Sequence, residues 1–183
     1  MALLESLVLP LGTTLIDFNL PGTDGKMHSP SDYADKKVLG VMFICNHCPY
    51  VKAVFDRLIQ IQNDYADKGV QLIGINSNDA NEYPDDSIEN MKLEVQNRQI
   101  SFPYLQDESQ EVGKAYQAQC TPDIYVFDAE RKLAYHGRID DNWQEPEKVT
   151  RHELREALDH LLAGEPAQAD QKPTMGCSIK WKS

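Results

Sequence analysis

The sequence predicts a mixed α/β fold in a single domain, and three patterns carry this prediction. Residues 37–44 and 70–76 are continuous apolar runs, typical of strands buried on both faces, and a long amphipathic helix separates them. A strand hairpin and a last helix follow later in the chain. A parallel crossover joined to an antiparallel hairpin gives a central mixed β-sheet flanked by helices. With 183 residues, 41% of them hydrophobic, the chain can bury one full core but not two.

The first elements lead directly to a cysteine. Residues 18–27 include the tight-turn signal Asp24-Gly25 and predict a small β-hairpin as an N-terminal extension. A short helical turn over residues 29–34 precedes the first apolar run, and Cys45 follows that run. We therefore expect Cys45 at the carboxyl end of a central strand.

The middle of the chain alternates helices and strands. Pro49 suits a first helical turn, and apolar residues recur at three- and four-residue steps from there towards Gly69. After the second apolar run, Met91 marks another helix and residues 102–106 a short edge segment. We interpret the polar stretch 77–87 as a loop or an insertion.

The last regular elements are a hairpin and a helix. Residues 124–135 predict two antiparallel strands around a charged turn. Thr150 and Glu153 have the spacing of a capping box at the start of the last helix, which Gly164 closes. We assign residues 1–164 to one domain.

The charge and the N-terminal segment narrow the range of functions. The formal net charge is −11, from 18 Lys and Arg against 29 Asp and Glu, and no basic cluster offsets it, so we expect no nucleic-acid partner. The first twenty residues contain no Lys or Arg to begin a signal peptide, and no apolar run reaches membrane-spanning length. We therefore expect a soluble cytoplasmic protein without a membrane partner.

The motif Cys45-Asn46-His47-Cys48-Pro49 carries the chemistry. A cysteine at a helix amino end faces unpaired N–H groups and the positive pole of the helix, which favour a thiolate, and we expect this of Cys45. His47 can lower the thiol pKa further by a hydrogen bond or a positive charge. Cys48 is expected to be the more buried sulfur, suited to attack a mixed disulfide on Cys45.

The same cysteine spacing is also half of a structural zinc site. Four residues could supply the missing ligands: Cys120, Cys177, His47 and His136. No second Cys-X-X-Cys or His-X-X-X-His pair exists, and the strand-to-helix setting favours redox chemistry. A copper or zinc carrier that binds the metal through Cys45, Cys48 and either His136 or Cys177 is a further alternative.

Two other segments are expected near the dithiol. Thr121-Pro122 precedes a strand, where a cis proline would present its backbone to a substrate, although an ordinary strand-opening proline fits too. Cys120 either faces the same cleft as a redox group or is a small buried residue. We expect the tail, residues 165–183, to pack on the domain and to bring Cys177 to the dithiol, with docking without chemistry as the alternative.

Three further side chains have two interpretations each. Arg138 could orient an anionic or peroxide substrate, but a salt bridge to Asp140 or Asp141 is the simpler explanation. Tyr50 and Lys52 are candidates for the mouth of the site, although a lysine there is more often a solvated helix charge.

Together these motifs resemble the thioredoxin-like superfamily, in particular its redoxin branch with AhpC/TSA and peroxiredoxin-like proteins. The resemblance covers about residues 15–162. It rests on four segments: Asp24-Gly25-Lys26, Cys45-Asn46-His47-Cys48-Pro49, Thr121-Pro122 and Tyr125-Val126-Phe127-Asp128. It implies a thioredoxin-like fold with Cys45 attacking, Cys48 resolving and a cis Pro122 contacting substrate. To Pro122 we add His47, Pro49 and Thr121 as expected substrate-contacting residues.

Three positions depart from the family patterns. Ile44 stands where many thioredoxins have tryptophan, and Leu39 takes the approximate place of their buried acid, so a proton acceptor for Cys48 is not evident. Met42 stands three residues before Cys45, where peroxiredoxins carry a peroxide-binding threonine. This departure argues against efficient peroxidase chemistry.

The sequence therefore predicts a thiol–disulfide oxidoreductase that needs no cofactor. Its substrate would be a protein or small-molecule disulfide, and its reductant a thiol such as thioredoxin or glutathione. The main alternative is a thiol peroxidase, in which peroxide oxidises Cys45 to a sulfenic acid that condenses with Cys48, Cys120 or Cys177.

Overall fold

The computed structural model describes residues 3–7 and 9–183. In chain order the strands are β1 (Leu3–Glu5), β2 (Leu20–Pro21), β3 (Met27–His28), β4 (Val38–Phe43), β5 (Val70–Asn76), β6 (Tyr104–Gln106), β7 (Cys120–Thr121), β8 (Asp123–Phe127), β9 (Leu133–His136) and β10 (Met175–Ser178). The α-helices are α1 (Pro49–Tyr65), α2 (Ile88–Arg98), α3 (Glu111–Ala115) and α4 (Glu153–Leu162). Within the described residues, none of these helices combines the length and the apolar character needed to cross a membrane.

A central sheet of five strands runs in the order β6-β5-β4-β8-β9. The central strand β4 pairs in parallel with β5 and antiparallel with β8. β6 extends the parallel side, and β9 extends the antiparallel side as a hairpin with β8. This mixed sheet, with helices packed on it, confirms the predicted fold class. The antiparallel pair β2 and β3 confirms the N-terminal hairpin.

The core lies on both faces of this sheet. Every residue of β4 is buried, as its continuous apolar run predicts. Because side chains alternate along a strand, Val38 and Met42 join one hydrophobic cluster, and Val41 and Phe43 join the other. Helices α1 and α4 cover the first cluster, whereas Leu9, from the N-terminal segment, packs in the second.

The tail forms the middle strand of a second, three-stranded sheet. β10 pairs antiparallel with β1 on one side and with β7 on the other. In this register Cys177 lies opposite Leu3 and opposite Thr121. The sheet therefore places the tail cysteine beside the segment that precedes Pro122.

The predicted capping box at the start of the last helix is wrong. Helix α4 begins at Glu153, and its N-cap residue, His152, makes no side-chain capping bond. The Thr150 hydroxyl binds the Asp141 carboxylate instead. Glu153 is 1% exposed and accepts two hydrogen bonds from Arg138, at 2.9 and 2.8 Å, so its carboxylate is held away from the helix terminus.

The predicted salt bridge of Arg138 to Asp140 or Asp141 is also wrong, because Glu153 takes up the Arg138 side chain. Its guanidinium pairs with Glu153, not with Asp140 or Asp141. Asp140 pairs with Arg57, which also donates hydrogen bonds to the carbonyls of Asn142 and Trp143. Arg57 thus ties the loop after β9 to helix α1.

Candidate active site

The two cysteines of the motif lie between β4 and α1. β4 ends at Phe43, α1 begins at Pro49, and Cys48 is the N-cap residue of the helix. Cys45 is 1% exposed and Cys48 is 0% exposed, and both are free thiols. A substrate disulfide can therefore reach either sulfur only after the covering segments move.

Thr121 brings the two sulfurs together. Its hydroxyl lies 3.3 Å from Cys45 Sγ, and its carbonyl accepts a hydrogen bond from Cys48 Sγ at 3.2 Å. The Thr121-Pro122 peptide bond is cis. The strand-opening segment that the sequence singled out thus contacts both members of the dithiol.

The lower thiol pKa lies on Cys48 and not on Cys45. A hydrogen bond from the Cys45 thiol lowers the pKa of Cys48 to about 5 against the effect of burial, with further help from the Cys177 thiol and the Val51 backbone. The pKa of Cys45 is raised well above its ordinary value, first by the same hydrogen bond, then by burial and by the charge of Asp86. We expected the stabilised thiolate at Cys45, whereas these pKa shifts favour a thiolate at Cys48.

The two opposite pKa shifts have one main cause, the interaction between the two sulfurs, which favours one thiolate and one thiol. With the charge on Cys48, the Cys45 thiol donates to it. The contact between Cys48 Sγ and the Thr121 carbonyl needs a protonated Cys48, because a carbonyl oxygen donates no hydrogen bond. If the charge then lies on Cys45, the Thr121 hydroxyl can donate to it. The two states differ by the transfer of one proton between the sulfurs.

Asp86 is the residue that sequence reasoning missed. It is 1% exposed and accepts four hydrogen bonds: Oδ1 from Asn46 N (2.7 Å) and Asn76 Nδ2 (3.2 Å), and Oδ2 from His47 Nδ1 (2.5 Å) and Asn78 Nδ2 (2.9 Å). Burial raises its pKa, but the bonds from His47, Asn78 and Asn46 outweigh burial and lower it. A buried carboxylate thus fixes the loop that carries the dithiol.

His47 is held as a potential proton carrier. Because Nδ1 donates to Asp86, a neutral ring keeps its lone pair on Nε2, which is buried and without a hydrogen-bond partner among the described residues. The ring stacks on Tyr83 at a centroid distance of 5.3 Å. One potential ligand atom each of Cys45, His47 and Asp86 lies within 4.8 Å of the others.

These atoms fit a metal poorly. Both oxygens of Asp86 already accept two hydrogen bonds each, so coordination would break part of that network. The alternative ligand His136 bonds through Nε2 to Asp123 at 2.8 Å and stacks on Tyr125. The hydrogen bonds of Asp86 and His136 therefore occupy atoms that a metal would need.

The two remaining cysteines lie in different surroundings. Cys120 is buried with its sulfur 3.9 Å from the Pro122 carbonyl, and burial followed by the charge of Asp123 raises its pKa. Cys177 is within hydrogen-bond reach of the Cys48 sulfur, and burial followed by that contact raises its pKa to about 12. The structure therefore places Cys177, and not Cys120, in the buried cluster that holds the dithiol.

A cavity of about 300 Å³ lies next to Pro122. Tyr50 and Trp143 line it, with their ring centroids 4.2 Å apart, and Met175 of β10 closes one side. Arg138 also lines the cavity while it is paired with Glu153. Tyr50 thus lines the mouth as expected, whereas Lys52 is exposed and does not line the cavity. Pro49 begins α1, and its contact with substrate stays a prediction.

The chain is similar to one family model and, over nearly its whole length, to two solved structures. The model of the AhpC/TSA family matches residues 11–136. An uncharacterized conserved protein from Geobacillus kaustophilus is 48% identical, with 100% of this chain and 97% of that chain covered and a TM-score of 0.94. The hypothetical protein SMc02350 from Sinorhizobium meliloti 1021 is 40% identical, with 98% of each chain covered and a TM-score of 0.94.

A more distant similarity shows the fold alone. The thioredoxin domain of the thiol-disulfide oxidoreductase BVU-2223 from Bacteroides vulgatus is 19% identical, with 70% of this chain and 89% of that chain covered and a TM-score of 0.61. No curated protein matches the chain.

Proposed function

The chain belongs to the AhpC/TSA family, in the redoxin branch of the thioredoxin-like superfamily, and from that premise we propose that it is a thiol–disulfide oxidoreductase. The observation that carries the proposal is the meeting of both sulfurs of the dithiol at Thr121, beside the cis Pro122. Cys45 is the nucleophile and Cys48 the resolving cysteine. The substrate is a disulfide, and a cytoplasmic thiol such as thioredoxin or glutathione regenerates the reduced pair.

In the first step Cys45 attacks the substrate disulfide. The proton of Cys45 moves to Cys48, and the Thr121 hydroxyl at 3.3 Å stabilises the resulting thiolate. A bond forms between Cys45 Sγ and one substrate sulfur, the substrate S–S bond breaks, and the other substrate sulfur leaves as a thiolate. His47, with a free Nε2, can carry a proton at this step.

In the second step Cys48 attacks the mixed disulfide at Cys45. In the mixed disulfide the Cys45 sulfur has no proton to donate, so the Cys177 thiol and the Val51 backbone remain to favour a thiolate at Cys48. Cys48 passes the proton that it took from Cys45 to the substrate thiolate that left in the first step. A Cys45–Cys48 bond forms and the second substrate thiolate leaves, so the substrate gains two electrons and the protein loses them. Cys48, which interacts directly with Cys45, is therefore suited to resolution.

The cavity beside Pro122 is the proposed binding site for the substrate chain. Its aromatic wall of Tyr50 and Trp143 suits an apolar side chain next to the substrate cysteine. Arg138 pairs with Glu153, and Lys172, the other cation that lines the cavity, pairs with Asp170, so little positive charge is left for an anionic group. We expect neutral or apolar residues to be preferred in this position.

The competing function is a thiol peroxidase with the same nucleophile. The buried, apolar Met42 stands where a peroxide-binding hydroxyl would be expected, and this disfavours it. The test compares the two substrates on one reduced preparation: stopped-flow oxidation by hydrogen peroxide, and turnover of a peptide disulfide with thioredoxin as reductant. We expect disulfide turnover that Cys45→Ser abolishes and Cys120→Ser retains.

The kinetic outcome decides between the two functions. Oxidation by peroxide no faster than that of free cysteine supports the oxidoreductase. Fast oxidation by peroxide, together with disulfide exchange no faster than that of a free thiol, would overturn the proposal.

A further inference from the structure

We propose that Cys177 is a third redox-active cysteine, which takes over the disulfide from the Cys45–Cys48 pair as a Cys48–Cys177 bond. This inference rests on the proposed function, because the disulfide that moves is the one formed when the dithiol reduces its substrate. It gives a role to the tail segment, which the two-cysteine mechanism leaves unused.

The first argument is the arrangement of the three sulfurs around one residue. Thr121 contacts Cys45 through its hydroxyl at 3.3 Å and Cys48 through its carbonyl at 3.2 Å. On its other side Thr121 is the register partner of Cys177 in the three-stranded sheet. The thiols of both Cys45 and Cys177 also influence the pKa of Cys48. All three belong to the same buried cluster.

The second argument is the space at Gly176. A Cβ added there would lie 1.9 Å from the Thr121 carbonyl oxygen, 2.6 Å from its carbon and 3.1 Å from Pro122 N. The φ angle of Gly176 is not in the left-handed region, so the glycine is needed for close approach and not for backbone conformation. Glycine lets the tail strand lie directly on the Thr121-Pro122 peptide and so keeps Cys177 beside Cys48.

Cys120 is buried in the same sheet as Cys177 but does not lie beside Cys48. It lies opposite Ser178, one residue further along the same pair of strands. Its sulfur is directed towards the Pro122 carbonyl, 3.9 Å away. It is therefore a matched control: a cysteine of equal burial without hydrogen-bond contact to Cys48.

The transfer is a thiol–disulfide exchange that balances without another reagent. Cys177 loses its proton and attacks Cys48 Sγ, the Cys45–Cys48 bond breaks, and Cys45 leaves as a thiolate that takes up a proton. No electrons enter or leave the protein in this step, since the substrate disulfide was the oxidant in the step before. The product has a free Cys45 thiol and a covalent bond between the tail strand and the start of α1.

The experiment removes Cys45 and asks whether the other two cysteines pair. Full-length Cys45→Ser is equilibrated with oxidised and reduced glutathione, quenched with acid, alkylated and mapped by mass spectrometry without reduction. We expect a Cys48–Cys177 linkage and a fall in free thiols from three to one per chain, unchanged when Cys120→Ser is added except for the missing thiol.

Wild-type protein, treated in the same way, separates the two levels of the proposal. A Cys45–Cys48 linkage in the wild type, with only glutathione adducts or a Cys48–Cys120 linkage in Cys45→Ser, would overturn the relay and leave the oxidoreductase standing. A wild-type protein in which Cys48 is linked neither to Cys45 nor to Cys177 would overturn the proposed function itself. A Cys48–Cys177 linkage in both proteins supports the relay.

Discussion

Replacing Asp86 by asparagine tests whether one buried carboxylate organises the site. The substitution keeps the shape, but one end of the side chain becomes an NH₂ group that cannot accept. Whichever way the amide turns, this group faces two donors: Asn46 N and Asn76 Nδ2, or His47 Nδ1 and Asn78 Nδ2. Two hydrogen bonds to a charged acceptor are therefore lost from a residue that is 1% exposed.

The expected loss follows from these two bonds. At about 1.5 to 3 kcal/mol for each hydrogen bond to a charged group, Asp86→Asn should lower the free energy of unfolding by about 3 to 6 kcal/mol. If His47 changes tautomer and accepts from the new NH₂ group at Nδ1, only one of the two bonds is lost and the expected loss is about 1.5 to 3 kcal/mol. The assay is urea unfolding of the reduced protein, followed by circular dichroism at neutral pH.

The neighbouring Asp85 gives a matched control. Its side chain is exposed, so Asp85→Asn should change the free energy of unfolding by less than about 0.5 kcal/mol. If Asp86→Asn costs no more than Asp85→Asn, the buried network does not hold the loop and the reasoning is refuted. A second readout is the pKa of Cys45. The charge of Asp86 raises this pKa, so Asp86→Asn should lower it.

Three further predictions concern the dithiol and its surroundings. Thr121→Val removes the hydroxyl that lowers the pKa of Cys45, and a hydrogen bond to a charged group, about 1.5 to 3 kcal/mol, corresponds to a roughly tenfold to hundredfold slower formation of the mixed disulfide in stopped-flow assays. Alkylation of the reduced protein by iodoacetamide should rise with pH through a first apparent pKa near 5, because the pKa of Cys48 is lowered to about 5. Arg57→Met leaves the buried Asp140 unpaired and should cost about 3 to 5 kcal/mol in urea unfolding.

Each of these has a contradicting result. Thr121→Ser keeps the hydroxyl, so equal slowing in the serine and valine variants would assign the effect to packing. A single alkylation step near the ordinary thiol pKa, about 8.5, would mean that the two sulfurs do not interact as described. Arg155→Met removes an exposed ion pair with Asp64, and a loss as large as that of Arg57→Met would contradict the role of burial.

The fold was predictable because its signals are local. The apolar runs that became β4 and β5 lie within single segments, and the turn and helix signals around them are a few residues long. The strand-to-helix position of Cys45 and the Thr121-Pro122 segment followed from the same patterns. The start of α4 was mispredicted because the ion pair of Glu153 with Arg138 joins residues from different elements.

The parts of the site that sequence reasoning missed depend on contacts between distant segments. Asp86 lies in the polar stretch 77–87, and only the parallel pairing of β4 with β5 brings that stretch to the end of β4. That pairing was itself predicted, so polar residues after β5 were an available signal. The low pKa of Cys48 depends first on the nearby Cys45 thiol, but it also depends on the Cys177 thiol, which lies more than a hundred residues away in sequence.

The most direct test of the dithiol mechanism is a trapping measurement with 5,5′-dithiobis(2-nitrobenzoate). Reduced wild-type protein should release both halves of the reagent and form a Cys45–Cys48 bond, whereas Cys48→Ser should release one half and keep the other as a mixed disulfide. Peptide mapping of the trapped species should place the adduct on Cys45. An adduct on any other cysteine, or one that persists in the wild type, would contradict Cys45 as nucleophile and Cys48 as resolving cysteine.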